Sequence, residues 1–96
     1  MIVVRGVFQA KYGKGDELVQ LMKESNMIWP NQCEFRMMTD LSGPFFTVIT
    51  EADYESLSAW EADIQKYFGD DRFSSWFERM VPLVESGSRE FYNLVE

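Results

Sequence analysis

The chain has 96 residues, the size of one small domain with a single apolar core, and 9 Lys and Arg against 16 Asp and Glu leave a formal charge of -7. That balance argues against a nucleic-acid partner, which calls for a basic surface. The chain has no histidine, which removes imidazole-based triads, proximal-histidine haem sites and most zinc sites, and its 46% hydrophobic and 16% aromatic content predicts an aromatic-rich core rather than disorder.

Residues 2–10 are rich in β-branched side chains, and the even positions Ile2, Val4, Gly6, Phe8 and Ala10 are all apolar or small. The odd positions mix Val3 and Val7 with Arg5 and Gln9. This two-residue period predicts a strand with one face on a core, ended by Gly13 and Gly15. From residue 16 to 29 the period lengthens. Leu18, Leu21, Met22, Ser25, Ile28 and Trp29 recur at helical spacing opposite Glu17, Gln20, Lys23 and Glu24, predicting an amphipathic helix. Asp16 and Glu17 suit its positive N-terminal end, and Pro30 stops it.

Residues 33–40 alternate Cys33, Phe35, Met37 and Thr39 against Glu34, Arg36, Met38 and Asp40. After the turn LSGP, residues 44–51 are aromatic and β-branched, so the two segments are expected to pair as a hairpin. Residues 54–68 place Leu57, Trp60, Ile64, Tyr67 and Phe68 on one helical stripe, with Asp53 the expected N-cap and Gly69 the stop. A second short helix repeats Phe73, Trp76, Phe77, Met80, Val81 and Val84. Pro82 cannot donate a backbone hydrogen bond, so a kink or a frayed last turn is expected there. Ser86, Gly87 and Ser88 are expected to close this segment, and residues 89–95 to form the last strand.

No repeat, linker or low-complexity tract divides the chain, so residues 1–96 are read as a single domain. The longest mostly apolar run, PFFTVI, is far shorter than the roughly 20 residues of a membrane-spanning helix. One cysteine, Cys33, cannot close a disulfide within the chain, and the N-terminus has no leader pattern. A cytoplasmic setting without a membrane partner is expected.

The element order predicts an α+β fold, a ferredoxin-like βαββαβ plait with a four-stranded antiparallel sheet and both crossovers on one face. The other face draws on Val3, Arg5, Val7, Gln9, Glu34, Arg36 and Met38 and is too apolar to stay wet on a monomer. A homodimer through this sheet face is the expected cover, since a standard interface needs only roughly 800 Å² per side. Two such sheets would enclose a barrel-like space.

The first strand followed by YGKGDELVQLMKE, the hairpin around LSGP, then ADYESLSAWEADI and the closing WFERMVPLVESGSREFYNLVE resemble the dimeric α+β barrel superfamily. Within it, the chain is similar to the small NIPSNAP-like and antibiotic-biosynthesis-monooxygenase-like domains. The resemblance covers nearly the whole chain and implies the paired barrel. It leaves activity open, because the superfamily includes cofactor-free monooxygenases, haem-degrading enzymes, chlorite-dismutase relatives and domains of unknown activity. The haem-degrading branch combines a first-strand Asn with helical Trp and His. This chain has no His, and Arg5 or Gln9 stands where that Asn would be sought, which excludes the branch's usual chemistry.

Trp29, Trp60 and Trp76 lie on or next to helical apolar stripes, suiting core packing as well as the wall of an aromatic pocket. Met37 and Met38 point to opposite faces of one strand, so one of them faces the inter-sheet space. Cys33 has no histidine to activate it and reads as a structural thiol. Asp63, Asp70 and Asp71 match no metal loop; helix capping is the simpler explanation. Arg5, Arg36 and Arg89 each need an anion. Glu34, Glu51 or Glu90 is the structural choice, and a bound carboxylate or phenolate the functional one.

The expected function is binding of a small apolar or aromatic molecule with an acidic end, fatty-acid-like or polyketide-like, in an inter-sheet or sheet-helix cavity. Its candidate ligand-binding residues are Arg5, Arg36, Met38, Trp29, Trp60 and Trp76, with neither metal nor cofactor. The alternatives are a cofactor-independent monooxygenase and a structural or interaction domain with a filled interior.

Overall fold

The computed structural model describes residues 1–30 and 34–96. Strand β1 (Ile2–Ala10) leads to helix α1 (Gly15–Ile28), strands β2 (Phe35–Thr39) and β3 (Thr47–Tyr54), helices α2 (Leu57–Phe68) and α3 (Asp71–Met80), and strand β4 (Val84–Asn93). The strands form one sheet in the order β2-β3-β1-β4, with every neighbouring pair antiparallel. This is the ferredoxin-like βαββαβ arrangement, with the helices on one face. None of the helices is long and apolar enough to cross a membrane, among the described residues.

Several boundaries differ from the sequence expectation. The third strand begins at Thr47 rather than at residue 44, because the loop before it is held closed: Thr47 N donates to Asp40 Oδ1 (2.9 Å) and Thr47 Oγ1 donates to Pro44 O (2.8 Å). Phe46, just before it, has φ 59°, a left-handed conformation that interrupts extended backbone. The strand then runs on to Tyr54, since pairing with β1 continues to Ile2. Tyr54 therefore belongs to the sheet and not to the helix. The N-cap of α2 is Ser56, whose Oγ accepts from Ala59 N (3.1 Å), rather than Asp53. Gly69 ends α2 as expected.

Strand β4 begins at Val84, five residues before the expected start. Ser86, Gly87 and Ser88 look like a turn in isolation, yet they pair with Gln9, Phe8 and Val7. A ready partner strand outweighs their low strand preference. Around Pro82, α3 gives way to a 3-10 turn over Val81–Leu83, the altered last turn that the proline predicts. The second strand spans Phe35–Thr39 instead of 33–40, and Cys33 lies outside the described residues.

The core lies under α1. Leu18 and Val48 are fully buried, and Ala10 and Met22 complete the cluster, with Phe8, Met37, Trp76 and Met80 packed against it. Helices α2 and α3 contribute no buried residue. The half of the sheet beneath them is consequently less tightly covered, and the candidate site lies there.

Candidate functional site

The floor of the site is built from the helix-facing positions of the sheet. Val4, Gly6, Thr50, Ala52 and Gly87 line it, together with the larger side chains of Phe8, Phe35 and Tyr54 on the same face. A side chain at Gly6 would meet Thr50 Oγ1 at 2.9 Å and the Phe8 ring at 3.0 Å. The roof is aromatic: Trp29 at the end of α1, Trp60 and Tyr67 on α2, and Phe73 and Trp76 on α3. Between sheet and helices lies a cavity of about 570 Å³. Volumes of roughly 300–1,000 Å³ are typical of small-molecule sites.

The rings are held by specific contacts. Trp29 lies 5.3 Å from Tyr67 and 6.4 Å from Trp76, centroid to centroid, and Phe73 is 6.1 Å from both Trp29 and Trp76. Two of the three indole N–H groups are engaged by the protein. Trp29 Nε1 donates to Asp70 Oδ2 (3.0 Å) and Trp76 Nε1 donates to Leu21 O (3.0 Å). These tryptophans therefore offer the cavity ring surface rather than donors. Trp60 meets the Phe91 ring edge-on at 4.9 Å and carries the Arg89 guanidinium 5.2 Å from its ring centroid.

Polar groups are few. Tyr54 Oη donates to Asp63 Oδ2 at 2.6 Å, and Tyr67 Oη donates to the same oxygen at 3.0 Å. Burial, followed by the charge of Asp63, pushes the Tyr67 phenol up to about 12; burial and the Asp63 hydrogen bond raise Tyr54 further. Both phenols stay protonated at neutral pH. Asp70 is the N-cap of α3, as capping predicts, and the Arg72 side chain and backbone hold its carboxyl well below the usual range, with Trp29 adding to this. Asp63, expected to cap a helix, instead ties α2 to β3. No group of three His, Cys, Asp or Glu is placed to hold a metal, among the described residues.

The six candidate residues named from sequence fall on opposite sides of the sheet. Trp29, Trp60 and Trp76 line the cavity together. Arg5, Arg36 and Met38 share the outer face, where Arg5 is cross-strand to Glu51 and Glu90, Arg36 to Glu51, and Met38 to Ile49. The expected carboxylate partners are present there. Arg5 Nε lies 3.8 Å from Glu51 Oε2 and 3.9 Å from Glu90 Oε1, and Arg36 donates to Glu51. Of the two methionines, Met37 packs on the core and Met38 faces outward. The residues that sequence reasoning left out of the site are Gly6, Thr50, Tyr54, Tyr67 and Arg89. Alternation along β1 and β3 carries a signal for the first two; Arg89 stands out from sequence as a cation needing an anion, but its place beside Gly6 depends on the strand register, and Tyr54 lies in β3 rather than in the helix.

No family model matches the chain, and no curated protein matches it by sequence. Solved structures do. A NIPSNAP domain protein from Burkholderia xenovorans superposes with a TM-score of 0.87 at 21% identity, covering 99% of this chain and 95% of its own. A NIPSNAP family protein from Agrobacterium tumefaciens gives a TM-score of 0.85 at 23% identity, with 99% and 86% covered. A candidate antibiotic biosynthesis monooxygenase from Nitrosomonas europaea gives 0.75 at 13% identity over 100% of both chains. The chain thus has, over nearly its whole length, the ferredoxin-like α+β fold of NIPSNAP and antibiotic-biosynthesis-monooxygenase proteins.

Proposed function

We propose that the protein is a small-molecule-binding domain whose ligand, an apolar or aromatic molecule with an acidic end, occupies the cavity between sheet and helices. The observation that carries this reading is the cavity of about 570 Å³ roofed by Trp29, Trp60 and Trp76. The three tryptophans are the ligand-binding residues on this reading, and the cavity argues against a filled, purely structural interior. Thermal denaturation with 1-naphthoate and dodecanoate, together with native mass spectrometry of the gently purified protein, tests it. A raised melting temperature or a co-purifying apolar acid is the expected result; neither appearing overturns it.

The domain pairs with a second copy through the outer sheet face. Val3, Val7, Ile49, Met38 and Tyr92 lie on that face around the Arg5, Arg36, Glu51 and Glu90 cluster. Pairing brings Arg5, Arg36 and Met38 into the space between the sheets, where the ion pairs remain neutralised and the apolar side chains are shielded. The single cysteine supports a reducing, cytoplasmic compartment.

A cofactor-independent monooxygenase is the second reading, favoured by the structural likeness to the Nitrosomonas europaea protein. Oxygen uptake with anthrone-type and quinol substrates tests it, and a flat trace across both classes overturns it.

A further inference from the structure

Four of the five arginines have carboxylate partners: Arg5 with Glu51 and Glu90, Arg36 with Glu51, Arg72 with Asp70, and Arg79 with Glu24. Arg89 forms no ion pair among the described residues, and its guanidinium lies over the ring of Trp60. It is also the arginine that lines the cavity. In a chain of net charge -7, a guanidinium left without a carboxylate beside an apolar cavity is set apart from the rest.

Its place in the sheet register supplies a second observation. Gly6 pairs with Thr50 on one side and with Arg89 on the other, and all three line the cavity. Thr50 and Arg89 therefore flank a residue without a side chain, their Cα atoms about 10 Å apart across two strand spacings. The row has a hydroxyl at one end and a planar cation at the other, and the glycine between them leaves room for the edge of the Phe8 ring, which packs against it. An ion–ring contact steadies a guanidinium by its face and leaves its N–H edges available, the geometry that recognises a carboxylate through two parallel hydrogen bonds.

We propose that the row Thr50–Gly6–Arg89 is the anion subsite of the cavity, and that its ligand class is a monocarboxylic acid with an aromatic or aliphatic body. Arg89 takes the carboxylate, Thr50 donates to its second oxygen, and the body extends under Trp29 and Trp76. This rests on the cavity reading above. Because the chain as a whole repels anions, a preference for an acid over its neutral counterpart must come from a local cation.

The test is isothermal titration of wild type, R89Q and R89K with 1-naphthoate and, as neutral counterpart, 1-naphthylmethanol. Wild type is expected to bind the acid about tenfold or more tightly than the alcohol, as a charge-assisted pair allows. R89Q is expected to lose that preference while keeping the alcohol's affinity, and R89K, which retains charge without the planar fork, to keep part of it. Equal binding of acid and alcohol by wild type, or an undiminished preference in R89Q, overturns the subsite and leaves the cavity reading standing. Loss of the alcohol's affinity in R89Q and R89K alike assigns Arg89 to packing and overturns it too. Binding of neither compound by wild type overturns the cavity reading and this inference together.

Discussion

Trp29 at the end of α1 donates its indole N–H to Asp70 Oδ2 at 3.0 Å, so one side chain of the cavity roof is fastened to the N-cap of α3. Asp70 also accepts from Arg72 N (2.9 Å) and from Arg72 Nε (3.0 Å) and Nη2 (2.6 Å). These bonds join the C-terminal end of one helix to the start of another and fix the roof where no buried side chain from α2 or α3 does so.

The first prediction concerns acid. Asp70 titrates below the ordinary carboxylate value, so its contribution is present above about pH 4 and is lost only as pH falls through the depressed folded value. The Trp29 indole N–H resonance is expected to stay constant from neutral pH to about pH 4 and to move below it. In D70N the resonance is expected to be displaced already at neutral pH. Nuclear magnetic resonance of the indole protons checks both.

The second prediction concerns base. Tyr67 titrates at about 12 and Tyr54 higher, both above the free phenol. A phenol whose folded value is raised contributes stability that is fully present below about pH 10 and lost as pH rises through its folded value. Ultraviolet titration is expected to show these two tyrosines ionising last, with unfolding setting in over the same range. In D63N their titration moves down only part of the way, because burial is the larger cause and remains.

The third prediction separates core from surface. Leu18 on α1 is fully buried against the sheet, and truncating it leaves a void the neighbours fill incompletely. L18A is expected to cost about 2–5 kcal/mol in chemical denaturation. Leu41 is fully exposed, and L41S is expected to stay within about 0.5 kcal/mol of wild type.

The fourth prediction addresses assembly. Val7 is cross-strand to Ile49 on the outer sheet face, so a lysine there places a charge in the middle of the paired surface. Sedimentation velocity is expected to show wild type at twice the 11.3 kDa chain mass and V7K as a single chain. Wild type sedimenting as a single chain overturns the dimer.

Much of the architecture was legible locally. The two-residue period from Ile2 to Ala10 and the helical recurrence of Leu18, Leu21 and Met22 follow from which side chains must leave water, and both elements form where those patterns lie. The ends of β3 and β4 were not. Tyr54 looks helical beside Leu57, and Ser86 to Ser88 look like a turn, until β1 is available as a partner for their backbone.

The amino-acid sequence by itself determined the βαββαβ order, the aromatic character of the helices and the need of Arg5 and Arg36 for an anion, because periodicity and charge are properties of near neighbours along the chain. Only the tertiary structure decided that Trp29, Trp60 and Trp76 face one cavity while Arg5 and Arg36 lie beyond the sheet, paired with Glu51 and Glu90. It also set Arg89 in line with Gly6 and Thr50. Such relations depend on the register between strands far apart in sequence, which is set by the packing of the whole sheet.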